Sequence, residues 1–426
     1  MAVKGREGGG GIRYAVVGLG WIAQSAVLPA FKGARRNSKL VALVSDDATK
    51  LQALGRQYDV DRLYSYEEYE SCLQEVDAVF IALPNSLHRE YTERAAAAGV
   101  HVLCEKPMAM TEEDCQAMIE SCRRAGVRLM LGYRLHFEKA NLRAVELIQS
   151  GELGEPRLFG SVFSTDVEPG NVRLRAGEGG PLYDIGIYCV NAARYLFRAE
   201  PEEVLASHAR RKDARFVDTP EMTTAVLRFP DDRLATFSCS FGAAHVGTYW
   251  IVGTEASLRV DPAYSIGTDL VHHFTRKGRT RSETFKARDQ FAAELLYFSD
   301  CLPEDREPEP SGEEGLADVR VLRAIERSAE DGRSVKLGPF ERRQRPTPAQ
   351  EISRPLGPRP EAEAHSRGGP ESRQVMGHED ERRRMDGPPI VDRCWRPAVP
   401  SRARPLSRAP RAAPGEADWD GEERGS

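Results

Sequence analysis

Residues 14–23 read Y-A-V-V-G-L-G-W-I-A, an apolar run entering Gly18-x-Gly20-x-x-Ala23 and then a helix-compatible stretch. The pattern describes the first βα turn of a dinucleotide-binding unit. Gly18 permits the tight turn, Gly20 lets backbone approach a pyrophosphate, and Ala23 allows close helix–strand packing. The helix start at Trp21 and Ile22 then offers unpaired N–H groups and the positive end of the helix dipole to phosphates.

Working outward, residues 40–45 form a second apolar strand, where an acidic residue at its end would bind the ribose hydroxyls of NAD. The strand ends instead on Ser45, with Lys50 a helical turn beyond. A hydroxyl and a cation suit the 2′-phosphate of NADP, so NADP is the expected cofactor. Asp46 and Asp47 keep NAD open, since a carboxylate turned to the ribose would favour it.

Strand and helix signals then alternate to residue 133, which predicts a doubly wound parallel sheet. From residue 134 the pattern changes. Period-two runs such as 223–229 and 234–241, split by P-D-D-R, predict hairpins and hence an α+β domain with a largely antiparallel open sheet. The fold class expected is α/β, with a dinucleotide-binding domain over 11–133 and an α+β substrate and oligomerisation domain over 134–340. Residues 1–10 are expected to be flexible. Residues 341–426 are rich in Arg and Pro and poor in patterned aliphatics, and such composition predicts a disordered tail.

Composition bounds the function. A chain of 426 residues, 40% hydrophobic, exceeds one ordinary domain. Its net charge of −5 and the lack of a basic stripe before residue 340 imply no nucleic-acid partner. No apolar run approaches membrane-spanning length, and the opening M-A-V-K-G-R-E-G-G-G-G has no apolar export segment. The expectation is a soluble cytoplasmic protein without a membrane partner. Eight cysteines without C-x-x-C spacing suggest reduced structural thiols and no metal site.

Three segments carry chemistry. L-P-N-S-L-H places Leu83, Pro84, Asn85 and His88 at the end of a buried strand, where Asn85 and His88 could bond a ribose or nicotinamide. C-E-K-P places Glu105 and Lys106 at the next strand end, with Lys106 aimed out of the sheet because a residue before proline is kept from helical backbone. G-G-P-L-Y-D-I-G-I-Y sets Asp184 and Tyr188 four apart on a helix, on one face. Oxidation of a carbinol needs an acceptor for the hydroxyl proton and a cation to steady the developing alkoxide. Tyr188 beside Lys106 meets that need, with Asp184 orienting the substrate hydroxyl or Lys106.

Together G-L-G-x-x-A, L-P-N-S-L-H, C-E-K-P-M-A, G-Y-R-L-H-F and L-Y-D-I-G-I-Y resemble the Gfo/Idh/MocA family of glucose-fructose oxidoreductase and inositol dehydrogenase, over about residues 12–340. The resemblance implies a Rossmann domain followed by a substrate domain. It implies that Lys106 contacts nicotinamide and the reacting hydroxyl, and that Arg134 is a cleft residue at the cofactor. The family's usual D-x-x-x-H pair falls on Asp184 and Tyr188. Tyrosine there is shared with the glucose-fructose oxidoreductase branch, as are Ser45 and Lys50.

An NADP-dependent oxidoreductase of a sugar or polyol is therefore expected, assembled as a homodimer or homotetramer through the second-domain sheet. Redox-assisted glycoside cleavage and a non-catalytic cofactor sensor are the alternatives.

Overall fold

A computed structural model describes residues 11–342 and 344–357, all within one compact unit. Six parallel strands open the chain: β1 (Ile12–Val17), β2 (Ser38–Val44), β3 (Arg62–Tyr64), β4 (Ala78–Ile81), β5 (His101–Cys104) and β6 (Leu129–Leu131). Their order is β3-β2-β1-β4-β5-β6. The sequence runs outward from β1 to β3 and then resumes on the other side at β4. The switch point between β1 and β4 opens a crevice at the carboxyl ends of these strands. These strands are apolar on both faces, as helix-covered parallel strands must be.

The second sheet has nine strands in the order β14-β13-β12-β11-β7-β10-β9-β8-β15. They are β7 (Pro156–Asp166), β8 (Glu203–Ala209), β9 (Met222–Phe229), β10 (Arg233–Ser240), β11 (Gly242–Gly253), β12 (Ala256–Val260), β13 (Leu270–Arg276), β14 (Arg279–Phe285) and β15 (Val335–Lys336). All neighbours are antiparallel except β7 and β10. One face buries Phe159, Leu227, Phe237, Tyr249 and Ile251, in the core that also takes in the helix Ile187–Phe197. The other face leaves Leu158, Leu205, Val226, Leu234 and Trp250 exposed.

The expected fold class is found, with two corrections to the boundaries. The helix Gln290–Cys301, within the span expected for the second domain, packs on the first. Phe291, Leu295, Leu296 and Phe298 join the core of Tyr14, Val16 and Phe80, and the Ser299 hydroxyl hydrogen-bonds that of Tyr14 at 2.8 Å.

The folded chain also continues past residue 340. Arg342 pairs with Glu314, and Arg345 reaches Glu200 at 2.9 Å. Gln350 donates to Glu309 Oε2 at 2.8 Å, Ile352 N–H to Phe137 O, and Asp289 N–H to Arg354 O. This segment holds because buried acids need its cations, a reason that apolar composition does not register. The remainder of the expected tail, from residue 358, and the expected flexible residues 1–10 lie outside the described residues.

Candidate active site

The nucleotide turn has the geometry its glycines require. Gly18 adopts φ +91°, and a Cβ there would stand 2.6 Å from Ala82 O, whereas a Cβ on Gly20 would meet nothing within 4 Å. Gly18 is thus demanded by the fold, while Gly20 opens a space in front of the backbone. Helix begins at Trp21 and the Gln24 N–H donates to Gly20 O at 3.1 Å, so the N–H groups the helix start presents to a phosphate are those ahead of Gln24, at Trp21 and Ile22.

At the end of β2, Asp46 accepts from Tyr66 N–H at 2.9 Å and Asp47 caps the helix Ala48–Tyr58 by accepting from Lys50 N–H at 3.0 Å. Ser45 is nearly buried and Lys50 is partly exposed, its Nζ 3.6 Å from Asp47 Oδ2. Both carboxylates are therefore engaged in local structure.

The chemistry-bearing residues converge across the crevice. Lys106 Nζ, at the end of β5, donates to the Asp184 carbonyl at 2.8 Å and to Asp184 Oδ1 at 3.1 Å. Burial disfavours the ammonium, but Asp184 together with Tyr188 and Glu105 outweighs it and raises the lysine's pKa. Burial likewise disfavours the Asp184 carboxylate, and Lys106 and Arg173 together overcome that, holding it well below the usual carboxylate range. Asp184 sits in a π-helical turn, Leu182–Gly186, that runs into the helix of Tyr188.

Lys106 does not meet the phenol oxygen. Its Nζ lies 4.9 Å from the centroid of the Tyr188 ring, because its hydrogens are already directed at Asp184. The Tyr188 hydroxyl instead accepts from Arg134 Nε at 3.2 Å. Arg134 is buried and fixed by Gln290 Oε1 and the carbonyl of Tyr264.

One expected cofactor contact, His88, is placed differently, and Asn85 is engaged with Glu178. His88 is fully buried, with Nδ1 2.9 Å from Pro107 O and Nε2 3.0 Å from Leu83 O, so it braces two strand ends from beneath the crevice. Asn85 donates its backbone N–H and its Nδ2 to Glu178. Pro84 is exposed and Leu83 buried beside Gly18.

Glu105 is buried, with Oε1 lacking a hydrogen-bond partner, and desolvation pushes its pKa up to about 7. Both oxygens of Glu294, on the helix Gln290–Cys301, are similarly unpartnered. Sequence reasoning missed Arg173 and Glu178, which lie in the irregular stretch just before the Asp184 motif, and Gln290 and Glu294, brought in by a helix distant in sequence; none carries a motif of its own.

The open space at Gly20, the helix start at Trp21 and the orphaned Glu105 oxygen fit a dinucleotide laid over β1, β4 and β5. Among the described residues there is no group of side chains suited to a metal ion, no helix long and apolar enough to cross a membrane, and no disulfide.

Comparison with known proteins agrees with this geometry. Residues 12–133 match the oxidoreductase family with an NAD-binding Rossmann fold, and residues 141–259 match the GFO/IDH/MocA C-terminal domain. A D-xylose 1-dehydrogenase [NADP(+)] of Haloarcula marismortui is 32% identical over 336 residues, 76% of this chain and 93% of that one. The crystal structure of aldose-aldose oxidoreductase from Caulobacter crescentus, complexed with glycerol, superposes with a TM-score of 0.74 at 38% identity. It covers 77% of this chain and 100% of its own. A 3-ketoreductase from Actinomadura kijaniata, solved with NADP and TDP-benzene, gives a TM-score of 0.69 at 26% identity over 75% of this chain and 98% of its own. From its nucleotide turn to its second sheet, the chain belongs to the Gfo/Idh/MocA family of oxidoreductases.

Proposed function

We propose that the protein is an NADP-dependent oxidoreductase that oxidises a CH–OH group of a sugar, an aldose foremost, or of a sugar-like polyol, or reduces the corresponding carbonyl. The observation that carries this reading is the cluster Lys106, Asp184 and Tyr188 at the strand ends where the nucleotide turn points. When bound, the nicotinamide supplies the acceptor or donor of the hydride.

The protein's own groups divide the remaining work by their charge states. Lys106 is kept as an ammonium and serves as a fixed cation against the reacting oxygen rather than as a base. Asp184 is a carboxylate clasped by two cations, a poor proton acceptor but a firm orienting group. That leaves the Tyr188 hydroxyl as the atom at which the substrate proton is held or passed, with Arg134 steadying its oxygen. Gly18, Gly20, Trp21 and Ile22 receive the pyrophosphate, Ser45 and Lys50 the 2′-phosphate, and Leu83, Pro84, Asn85 and Glu105 border the nicotinamide half.

The exposed apolar row on the second sheet supports assembly with a second copy. Leu205 pairs with Val226, and Leu234 with Leu158, along neighbouring strands, giving a plane able to meet its own copy about a twofold axis. Residence in the cytoplasm is part of the same reading, supported by the seven cysteines of the described residues, all buried and unpaired.

A panel of aldoses and polyols offered with NADP, followed by nicotinamide absorbance, tests the proposal. Reduction of NADP with at least one free sugar is expected; NADP binding with no turnover of any sugar or polyol in either direction would overturn it.

A further inference from the structure

Between β7 and the turn that holds Asp184, residues 167–181 form an arm that touches both sides of the crevice. On the first domain, Glu178 accepts from Asn85 N–H at 2.8 Å and from the Ser86 hydroxyl at 2.9 Å, while its carbonyl accepts from Asn85 Nδ2 at 2.9 Å. On the second, Arg173 donates to Asp184 Oδ2 at 2.8 Å. The arginine is built into place. Asn171 Oδ1 accepts from both its N–H and its Nε, at 3.0 and 3.1 Å, and its guanidinium lies 5.3 Å from the centroid of the Phe241 ring.

Asp184 therefore spends one oxygen on each of two cations: Oδ1 on Lys106 and Oδ2 on Arg173. A carboxylate held at one oxygen can rotate; one held at both is fixed in plane and direction, and with it the lysine that it aims. We propose that Arg173 is a positioning residue of this oxidoreductase, acting through Asp184 to fix the direction and charge of the Lys106–Asp184 pair, and delivered to it by the Glu178 tether. The inference rests on the proposed function for its kinetic consequence, though not for its structural one.

The charged and titratable groups around Asp184 are Lys106 and Glu105 from the end of β5, Arg173 from the arm, Tyr188 one turn along, and Arg134 behind Tyr188. Removing Arg173 takes away one of the two favourable charges and leaves burial unopposed on that side. The Asp184 pKa then moves up, and the acidic-side fall of kcat/KM moves with it to higher pH.

The test compares wild type, Arg173→Ala and Arg173→Lys. Arg173 is partly exposed in a loop, so neither change threatens the core. The Asp184 carboxyl carbon is followed by NMR in aspartate-labelled protein, assigned by its loss in Asp184→Asn, alongside kcat/KM against pH and calorimetric NADP affinity. Arg173→Ala is expected to raise the Asp184 titration by about 1 to 2 pH units. It should also bring the acid limb upward and lower kcat by about tenfold or more with NADP affinity unchanged, and Arg173→Lys should recover most of the titration shift. An unmoved Asp184 titration, or a defect confined to the KM of the sugar, would overturn the proposal. If no sugar is turned over at all, the functional reading falls while the carboxyl titration still decides the role of Arg173.

Discussion

Arg134, and not Lys106, is the cation that touches the Tyr188 hydroxyl: its Nε donates at 3.2 Å while its guanidinium carbon lies 5.0 Å from the ring centroid. The tyrosine thus meets two cations, Lys106 near the ring and Arg134 at both ring and oxygen. A hydrogen bond from a charged donor is worth about 1.5–3 kcal/mol, or roughly 10- to 150-fold in rate if it strengthens as the proton moves. Arg134→Met should lower kcat by that factor. Gln290→Ala, which frees one arm of the guanidinium, should give a smaller loss. Steady-state kinetics on the two variants checks the order.

The proposed reading sets cofactor choice at the end of β2, where Asp46 is tied to Tyr66 and Asp47 to the helix start, with Ser45 and Lys50 assigned to the 2′-phosphate. The contact is partly exposed, so its worth is about 1 to 2 kcal/mol, or roughly 5- to 30-fold in affinity. Lys50→Ala should weaken NADP by that much and leave NAD nearly unchanged. Wild-type preference for NAD in a calorimetric titration would mean that a carboxylate, not the lysine, reads the ribose.

The C-terminal segment makes a sharper claim on stability. Ending the chain after Phe340 removes Arg342 and Arg345 from the buried carboxylates Glu200, Glu309 and Glu314. Arg194 still faces Glu200 and Glu314, and His136 still faces Glu309, so the loss under-compensates these acids and costs less than the about 3–5 kcal/mol of a wholly unpaired buried charge. A chain ending at 340 should melt markedly lower than wild type, and one ending at 357 should melt with it. Equal melting of the two would show that the ion pairs contribute nothing.

The Glu105–Glu294 pair predicts the pH dependence of the ligand-free protein. Burial raises Glu105 to about 7 and raises Glu294 well above its ordinary value. The unfolded chain releases these protons first, so the contribution of these two groups to stability is fullest below about pH 4 and is lost as pH rises through about 7. Thermal melts without NADP should fall over that window in wild type and fall less in Glu105→Gln. A variant as pH-sensitive as wild type would place the titration elsewhere.

On the open sheet, Trp250→Glu should shift the protein toward monomer in sedimentation, with NADP affinity retained. An unchanged sedimentation coefficient would move the interface off this face.

Much of this was legible in the sequence, for reasons that differ by residue. Gly18, Gly20, Lys106, Asp184 and Tyr188 are set by short-range pattern, since a strand end or a helical spacing dictates where each points. His88 was misplaced because a histidine after a strand reads the same whether it faces a ligand or braces carbonyls, and only its complete burial separates the two. The hairpin of β13 and β14 escaped because R-T-R-S-E-T-F is exposed along all but its last residue and shows no apolar alternation. Residues 341–357 and the helix Gln290–Cys301 depend on partners about 30 to 280 positions away, acids in one case and a sheet face in the other. No local pattern records these.

In the proposed mechanism Tyr188 handles the substrate proton beside the charged Lys106–Asp184 pair. Single-turnover kinetics of Tyr188→Phe, with NADP and an aldose that the wild type oxidises, isolates this role, because the change keeps the ring beside its two cations and removes only the hydroxyl. The expected result is a fall of about 10² to 10⁴ in the rate of nicotinamide reduction with NADP affinity preserved; near-wild-type turnover in the folded variant would contradict the assignment.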